Sequence, residues 1–456
     1  MATRIGVSVE AMPRIIVDCT HTFQTGAGTG IQRVVRHLTD ALMDIANPPE
    51  LEILAVRIHG GELVALPVEG GKVAFAKSTS IRELHSATDA HRRLEAVLAW
   101  GLRANRVLRS SALGRWLEAG PNESGLARLV EKSMPGPPAG QCLELRPTDI
   151  FVALDSSWVY DVRSVLDALG RAGATRVAFL CDILPRSHPQ WFTPGTRRYF
   201  EGWLKALVPR VDGVVAISRA TCEAYREEVG RWPRPPRAHP ECTAIRLGAQ
   251  IGEAATEAAR PRLRELIGPG RPPAFLTVGT LEPRKNIGFA LDIFDELAGR
   301  DLDFQWHIVG SPGWLAEDTA RRIRAHPLFG DRLHWWVGLT DGELDWCYRN
   351  AGALVAVSRA EGFGLPLVEA RLHGLPVFAS DIAVFHEVLE GEARFLPLSS
   401  APLAAAALED FLRRGAARDA GSRVARRWED CAREFAEVLL AIDARRRRAR
   451  EGGEFA

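Results

Sequence analysis

Lysine is nearly missing from this chain. Five lysines (Lys72, Lys77, Lys132, Lys205 and Lys285) stand against 53 arginines. A GC-rich genome produces that bias, and it makes each lysine that is kept more informative. An excess of either charge is missing too. The 58 basic and 57 acidic residues leave a net charge of +1, which excludes a generally basic nucleic-acid coat and an acidic solvating tail. Cysteine is sparse, and the seven (Cys19, Cys142, Cys181, Cys222, Cys242, Cys347 and Cys431) are scattered with no C-x-x-C pair. Neither a zinc site nor a disulfide framework is expected, and a reducing cytoplasm fits best. No apolar run reaches the roughly 18 residues of a membrane span. Met1–Met12 lacks the basic start and apolar run of a secretory leader. The expectation is a cytoplasmic protein, either free or peripheral on the inner face of a membrane.

What the chain does contain is alternation. Its 456 residues are 46% apolar and 25% charged, enough for two to three packed domains. Short apolar runs at 14–18, 149–154, 176–180 and 213–217 read as buried parallel strands, each leading through a loop towards a helical pattern. A second series begins at 275–278, with a helix at 287–298, and continues through runs at 304–309, 334–337, 353–357, 376–379 and 393–396. Strands alternating with helices predict two α/β halves built on parallel sheets. The expected division is residues 1–250, residues 251–425 and a last helix in 426–456 that crosses back to the first domain. Open sheets of this kind bind ligands beyond the carboxyl ends of their strands, so two facing sheets place a site in the cleft between them.

Two stretches stand apart. About residues 71–145, six arginines from Arg92 to Arg115 intersperse with Leu94, Leu98, Trp100, Leu102, Leu108, Leu113 and Trp116. This predicts a helical insertion that either docks on a membrane surface or acceptor or packs on its own domain with a solvated arginine face. The last helix carries Trp428, Phe435, Val438, Leu439 and Ile442 at helical spacing and ends in Arg445–Arg448. That cluster suits a helix C-terminus, and it also suits anionic lipid.

Two strand-to-helix loops carry the chemistry. Gly279-Thr280-Leu281-Glu282-Pro283-Arg284-Lys285-Asn286 delivers a guanidinium and an ammonium together at a helix N-terminus. That combination favours a diphosphate, though a solvated basic turn would look the same. Ser358-Arg359-Ala360-Glu361-Gly362-Phe363-Gly364-Leu365, continuing to Glu369, supplies glycines that let backbone approach a ligand, free N–H groups from Leu365 onward, and two carboxylates. Glu361 in the loop can accept from sugar hydroxyls and Glu369 on the helix from a ribose diol.

Here the sequence resembles a known family. Glu361 and Glu369 stand as the E-x7-E signature of retaining glycosyltransferases with two facing Rossmann-like domains, the large family 4 of B-type nucleotide-sugar transferases. The run at 279–286 matches their second signature, and Gly374–Ser380 with Glu387 falls where they have a G-x-P-V strand and a following Glu. The resemblance covers 272–435. In the first half, Thr29–Arg36 is similar to the first loop and helix of a subgroup acting in bacterial surface-polysaccharide assembly. Asp182-Ile183-Leu184-Pro185 with His188-Pro189 is similar to that subgroup's D-x-x-P…H-P loop.

The resemblance implies an α/β fold of two facing doubly wound parallel-sheet domains. It implies that Arg284 and Lys285 bind the donor diphosphate and stabilise charge on the departing nucleotide without a metal or cofactor. Glu361 would hold the donor sugar and Glu369 the ribose. Gly364 and Leu365 would offer backbone N–H groups, Gly338 would lie beneath the base, and Gly26, Gly28 and Gly30 would form a loop near phosphate and acceptor. Many members carry a His just before the D-x-x-P aspartate; here Cys181 stands there. Asp182 then either takes part of that role or caps its loop, and His188 is either a ligand or structural. The implied activity moves a hexose or deoxyhexose, with mannose from GDP-mannose or a rhamnose donor as the guess, to a glycan or lipid-linked acceptor. A membrane-surface contact is allowed for, and no nucleic acid is expected. Same-face attack is favoured over a covalent intermediate. The competing readings are an epimerase or a phosphorylase of related architecture, the latter needing a pyridoxal-phosphate lysine, and a degenerate transferase serving as a scaffold in polysaccharide assembly.

Overall fold

A computed structural model of the chain describes residues 13–25, 30–46, 50–75, 142–233, 239–249, 259–415 and 426–453. Most of the arginine-rich insertion, and Gly26 and Gly28 of the first loop, lie outside the described residues.

The strands in chain order are β1 (Arg14–Asp18), β2 (Glu52–His59), β3 (Glu62–Ala65), a small hairpin β4 (Val68–Glu69) and β5 (Lys72–Val73), β6 (Asp149–Ala153), β7 (Thr175–Leu180), β8 (Gly213–Ala216), β9 (Cys242–Ala244), β10 (Ala274–Val278), β11 (Gln305–Val309), β12 (Leu333–Trp336), β13 (Ala353–Ala356), β14 (Val377–Ser380) and β15 (Arg394–Leu396). They form one seven-stranded sheet, β3-β2-β1-β6-β7-β8-β9, and one six-stranded sheet, β12-β11-β10-β13-β14-β15. Every pairing in both sheets is parallel except β2–β3.

The continuous apolar runs follow from burial on both faces, because crossover helices cover a parallel sheet. All five residues of β1 and all five of β6 are buried. Their register sets Arg14 beside Asp149, and the guanidinium answers the carboxylate at 2.7 Å in the interior. The helix Gly30–Ile45 lays Val34, Val35, Leu38, Ala41 and Leu42 on that sheet at helical spacing. In the second sheet, Phe275, Phe294, Phe304 and Trp306 interlock beneath β10 and β11.

The last helix, Trp428–Gly453, returns to the first sheet. Its Phe435 meets Phe179 edge-on, its Trp428 stacks on His37, and its Asp443 accepts from Thr175 at 2.6 Å. Arg445 pairs with Glu241, Arg446 is buried against Asp212, and Arg447 pairs with Asp443. Three of the four clustered arginines are therefore engaged by the fold itself. Among the described residues, no helix is long and apolar enough to cross a membrane.

Strands β2, β3 and β9 carry no sequence signal strong enough to name them. β2 alternates in burial, β3 is short, and β9 is three residues that only pairing with β8 defines. The cysteine expectation needs correction at one pair. Cys222 on the helix Arg219–Gly230 and Cys242 on β9 are joined as a disulfide, with Cα atoms 5.6 Å apart, a normal span for such a bond. The strand pairing of β8 with β9 brings them together, so spacing along the chain does not reveal them, and the cysteines no longer argue for a reducing compartment.

Candidate functional site

The carboxyl ends of the two sheets face each other, and the loops after β10 and β13 meet there. After β10 the chain makes a tight turn, Pro283–Lys285, then enters the helix Ile287–Ala298 through Asn286 at φ 56°. Asparagine tolerates that left-handed conformation, and it lets Arg284 and Lys285 project from one turn. The Arg359 N–H donates to the Arg284 carbonyl at 2.8 Å, fastening the two loops together.

Glu361 is the centre of what results. Arg284 Nη1 donates to Oε2, Lys285 Nζ donates to Oε1, and Ser358 Oγ donates to Oε1 at 2.8 Å. Arg284 Nε also donates to Glu282 Oε2 at 2.8 Å. Burial pushes the Glu361 carboxyl up, but the Arg284 and Lys285 charges and the donated hydrogen bonds outweigh it and hold the group at about 2. For Glu282 burial wins, and its carboxyl is raised although Arg284 opposes the shift. A buried carboxylate with three donors is a fixed negative charge between two cations, not a free base or nucleophile.

The first sheet contributes the opposite wall. Asp182 follows β7, and its Oδ1 accepts from Leu184 N at 3.0 Å, so it does cap its own loop. It also lies within electrostatic reach of Arg284, Lys285 and Glu361; burial raises its carboxyl while Arg284 opposes. The structure therefore brings Asp182, Arg284, Lys285 and Glu361 into one cluster. Burial raises the Cys181 thiol far above its ordinary range, which leaves it protonated and unable to replace an imidazole. Gly362 presses on this wall so closely that an added Cβ would sit 2.0 Å from the Cys181 carbonyl oxygen. Ser218 Oγ, after β8, donates to the Gly362 carbonyl at 2.7 Å. Glu387 accepts from the Arg219 and Ala220 N–H groups at 2.7 and 3.1 Å, again across the cleft.

His188 lies elsewhere. It stacks flat on Trp191 at 4.7 Å and bonds Ser187 Oγ. Among the described residues, no hydrogen bond or ion pair joins it to the charged cluster. Its loop borders an apolar contact across the cleft, where Trp191, Phe192 and Trp314 pack around Ala360.

Gly364 precedes the helix Leu365–Leu372 at φ 109°, a conformation that needs glycine, and so Leu365 opens that helix with its N-terminal amides at the cleft. Glu369, one turn on, is buried. Its Oε2 accepts from the Tyr348 hydroxyl at 2.9 Å, and its Oε1 takes Arg33 Nη2 of the facing lobe at 2.6 Å. Gly338 follows β12 at φ 65°, and its carbonyl accepts from Arg260 at 2.7 Å. Gly30 starts the helix that bears Arg33.

Sequence reasoning missed several groups at this edge. Asp18, at the end of β1, accepts from Thr20 Oγ1 at 2.5 Å and from the Tyr160 hydroxyl. Burial and the neighbouring Asp155 charge push its carboxyl up to about 7. Asp155 accepts from Thr22 N at 2.5 Å and lies near His21, whose imidazole burial holds below its ordinary range. Arg33 and Tyr348 were missed as partners of Glu369. Only the polar ending of β1, after the three apolar residues Ile15, Ile16 and Val17, hints at any of these in the sequence.

Residues 262–428 match the family model described as "Glycosyl transferases group 1". Over 273 residues the chain is 32% identical to the serotype-specific mannosyltransferase WbdA of Escherichia coli, covering 58% of this chain and 33% of that one. It is 28% identical to the lipopolysaccharide core biosynthesis mannosyltransferase LpsB of Rhizobium meliloti, over 44% of this chain and 54% of the relative. The chain thus spans about a third of the first curated relatives it matches and about half of LpsB. The solved structure of sucrose-phosphate synthase from Thermosynechococcus elongatus superposes with a TM-score of 0.52 at 18% identity, covering 96% of this chain and 98% of that one. That likeness speaks for the fold, which is the pair of facing Rossmann-like parallel-sheet domains expected from the resemblance.

Proposed function

We propose that this chain, whose residues 262–428 match the glycosyl transferases group 1 model, is a retaining, metal-independent glycosyltransferase. It moves a hexose or deoxyhexose, mannose from GDP-mannose or rhamnose from its nucleotide donor, from a nucleotide diphosphate sugar to a glycan or lipid-linked acceptor in polysaccharide synthesis. The observation that carries this reading is the meeting of Arg284, Lys285 and Glu361 with Asp182 across facing strand ends.

The roles follow from the charges. A departing nucleoside diphosphate develops negative charge, and Arg284 and Lys285 stand fixed where they can meet it with no reorganisation. Glu361 holds both cations in place and offers its remaining lone pairs to sugar hydroxyls. Its engagement by three donors makes it a poor nucleophile, which supports same-face attack, with leaving-group phosphate accepting the acceptor proton. Intact mass spectrometry during turnover is therefore expected to find no glycosyl adduct; a trapped adduct on Glu361 or Asp182 would reverse this step.

Donor binding is the direct test. Thermal unfolding with GDP, UDP, dTDP and ADP should show one preferred nucleotide, since a ligand at 100 times its Kd adds about 2.7 kcal/mol. The shift should be the same with EDTA present. Silence with all four nucleotides would favour the scaffold reading, and a shift abolished by EDTA would overturn metal independence.

A further inference from the structure

Each carboxylate oxygen of Glu369 already has one partner in this structure, which leaves one lone pair on each. Oε2 is taken by the Tyr348 hydroxyl at 2.9 Å and Oε1 by Arg33 Nη2 at 2.6 Å, and the Glu369 side chain is only 2% exposed. The two partners differ in origin. Tyr348 belongs to the same domain, on the helix Asp341–Asn350, and is itself buried. Arg33 comes from the other lobe, one turn into the helix Gly30–Ile45 that follows the first glycine loop.

The surroundings of Arg33 are built for this reach. Its guanidinium is desolvated, and the charges of Glu369 and Asp341 hold it in the charged form. Its Nε is buried without a hydrogen-bond partner among the described residues, so one donor of the fork stays unused beside the carboxylate. A buried carboxylate whose partner is removed is left uncompensated, and that costs far more than an exposed pair would.

We propose that Arg33 is the positioning residue for the donor ribose. By pairing with Glu369 across the cleft it aims that carboxylate and neutralises its burial, so that a ribose diol meets an oriented acceptor only when the lobes have closed. This rests on the glycosyl-transfer reading, and it makes closure of the first lobe part of nucleotide recognition although Arg33 lies on neither signature loop. Lysine would keep the charge and lose the fork.

Calorimetry with GDP and 2′,3′-dideoxy-GDP tests the inference, or the matched pair for another base if the thermal screen selects one. Wild type is expected to prefer the diol by about tenfold or more, because a site that hydrogen-bonds a hydroxyl rejects the analogue lacking it. In Arg33→Met the preference should fall to about one, as in Glu369→Gln, and the double variant should lose nothing further. Arg33→Lys, the gentler change should Arg33→Met not fold, is expected to keep only part of the preference. In steady state Arg33→Met should raise the donor KM about tenfold while kcat changes by less than about threefold. An undiminished diol preference in Arg33→Met or Arg33→Lys, or additive losses in the double variant, overturns the inference and leaves glycosyl transfer standing. Failure of wild type to bind any of the four nucleoside diphosphates removes both.

Discussion

Replacing Lys285 by alanine is expected to lower kcat/KM by about 2–4 kcal/mol of transition-state stabilisation, roughly 30- to 1000-fold, while the protein stays folded. The asymmetry comes from the cluster itself. Glu361 keeps Arg284 and Ser358 when the ammonium is lost, so no carboxylate is stranded, and the stability cost should stay near 1 kcal/mol. The departing diphosphate has no such substitute, because Arg284 is already shared between Glu361 and Glu282. Lys285→Arg should not restore the rate. The lysine stem runs along Gly279, where a Cβ placed on the glycine would lie 3.1 Å from Cε and 3.3 Å from Nζ, and a planar fork does not fit that corridor. Initial rates with the preferred donor, beside a thermal melt, separate the two effects. A variant with unchanged kinetics would remove the ammonium from the phosphate site.

Gly362→Ala should be at least as damaging, by a different route. The added methyl would stand 2.0 Å from the Cys181 carbonyl oxygen and 3.0 Å from Asp182 Cβ. The obstacle is backbone belonging to the facing sheet, so no rotamer change relieves it. The lobes must part, which stretches the Ser218–Gly362 hydrogen bond and draws Asp182 away from Arg284. A displacement of about 1 Å in such a site is worth about 100-fold in rate. The groups assigned to the diphosphate lie on the second sheet, so nucleotide affinity should fall by much less than turnover. Calorimetry and turnover on the same preparation read the two quantities. Turnover at the wild-type level would mean that the reacting arrangement is more open than the structure described above.

These expectations show how far the sequence alone reaches. Continuous apolar runs announced β1, β6, β7, β8 and the second series because strands buried on both faces cannot alternate. The two signature loops placed Arg284, Lys285 and Glu361 because each fragment carries its glycines and charges within a few residues. Arg33 with Glu369, Tyr348 with Glu369, and Cys222 with Cys242 could not be read in that way. Each pair forms because strand order or lobe closure brings distant segments together, and nothing local marks it. Asp18 shows the same limit: its raised carboxyl is a property of burial beside Asp155, not of its neighbours in the chain. His188 shows the converse, a residue singled out by a motif that here packs on tryptophan.

The return of the helix Trp428–Gly453 to the first sheet has a consequence for biosynthesis. Residues 259–415 hold a complete six-stranded sheet in one unbroken stretch, so that unit can close as soon as it leaves the ribosome. The amino-terminal unit, although made before it, leaves Phe179, His37 and Gly213 without the cover of Phe435, Trp428 and Ile442 until the last helix arrives. The amino-terminal unit is thus sealed only after the second unit has been made, and until then its nascent form carries an open apolar seam.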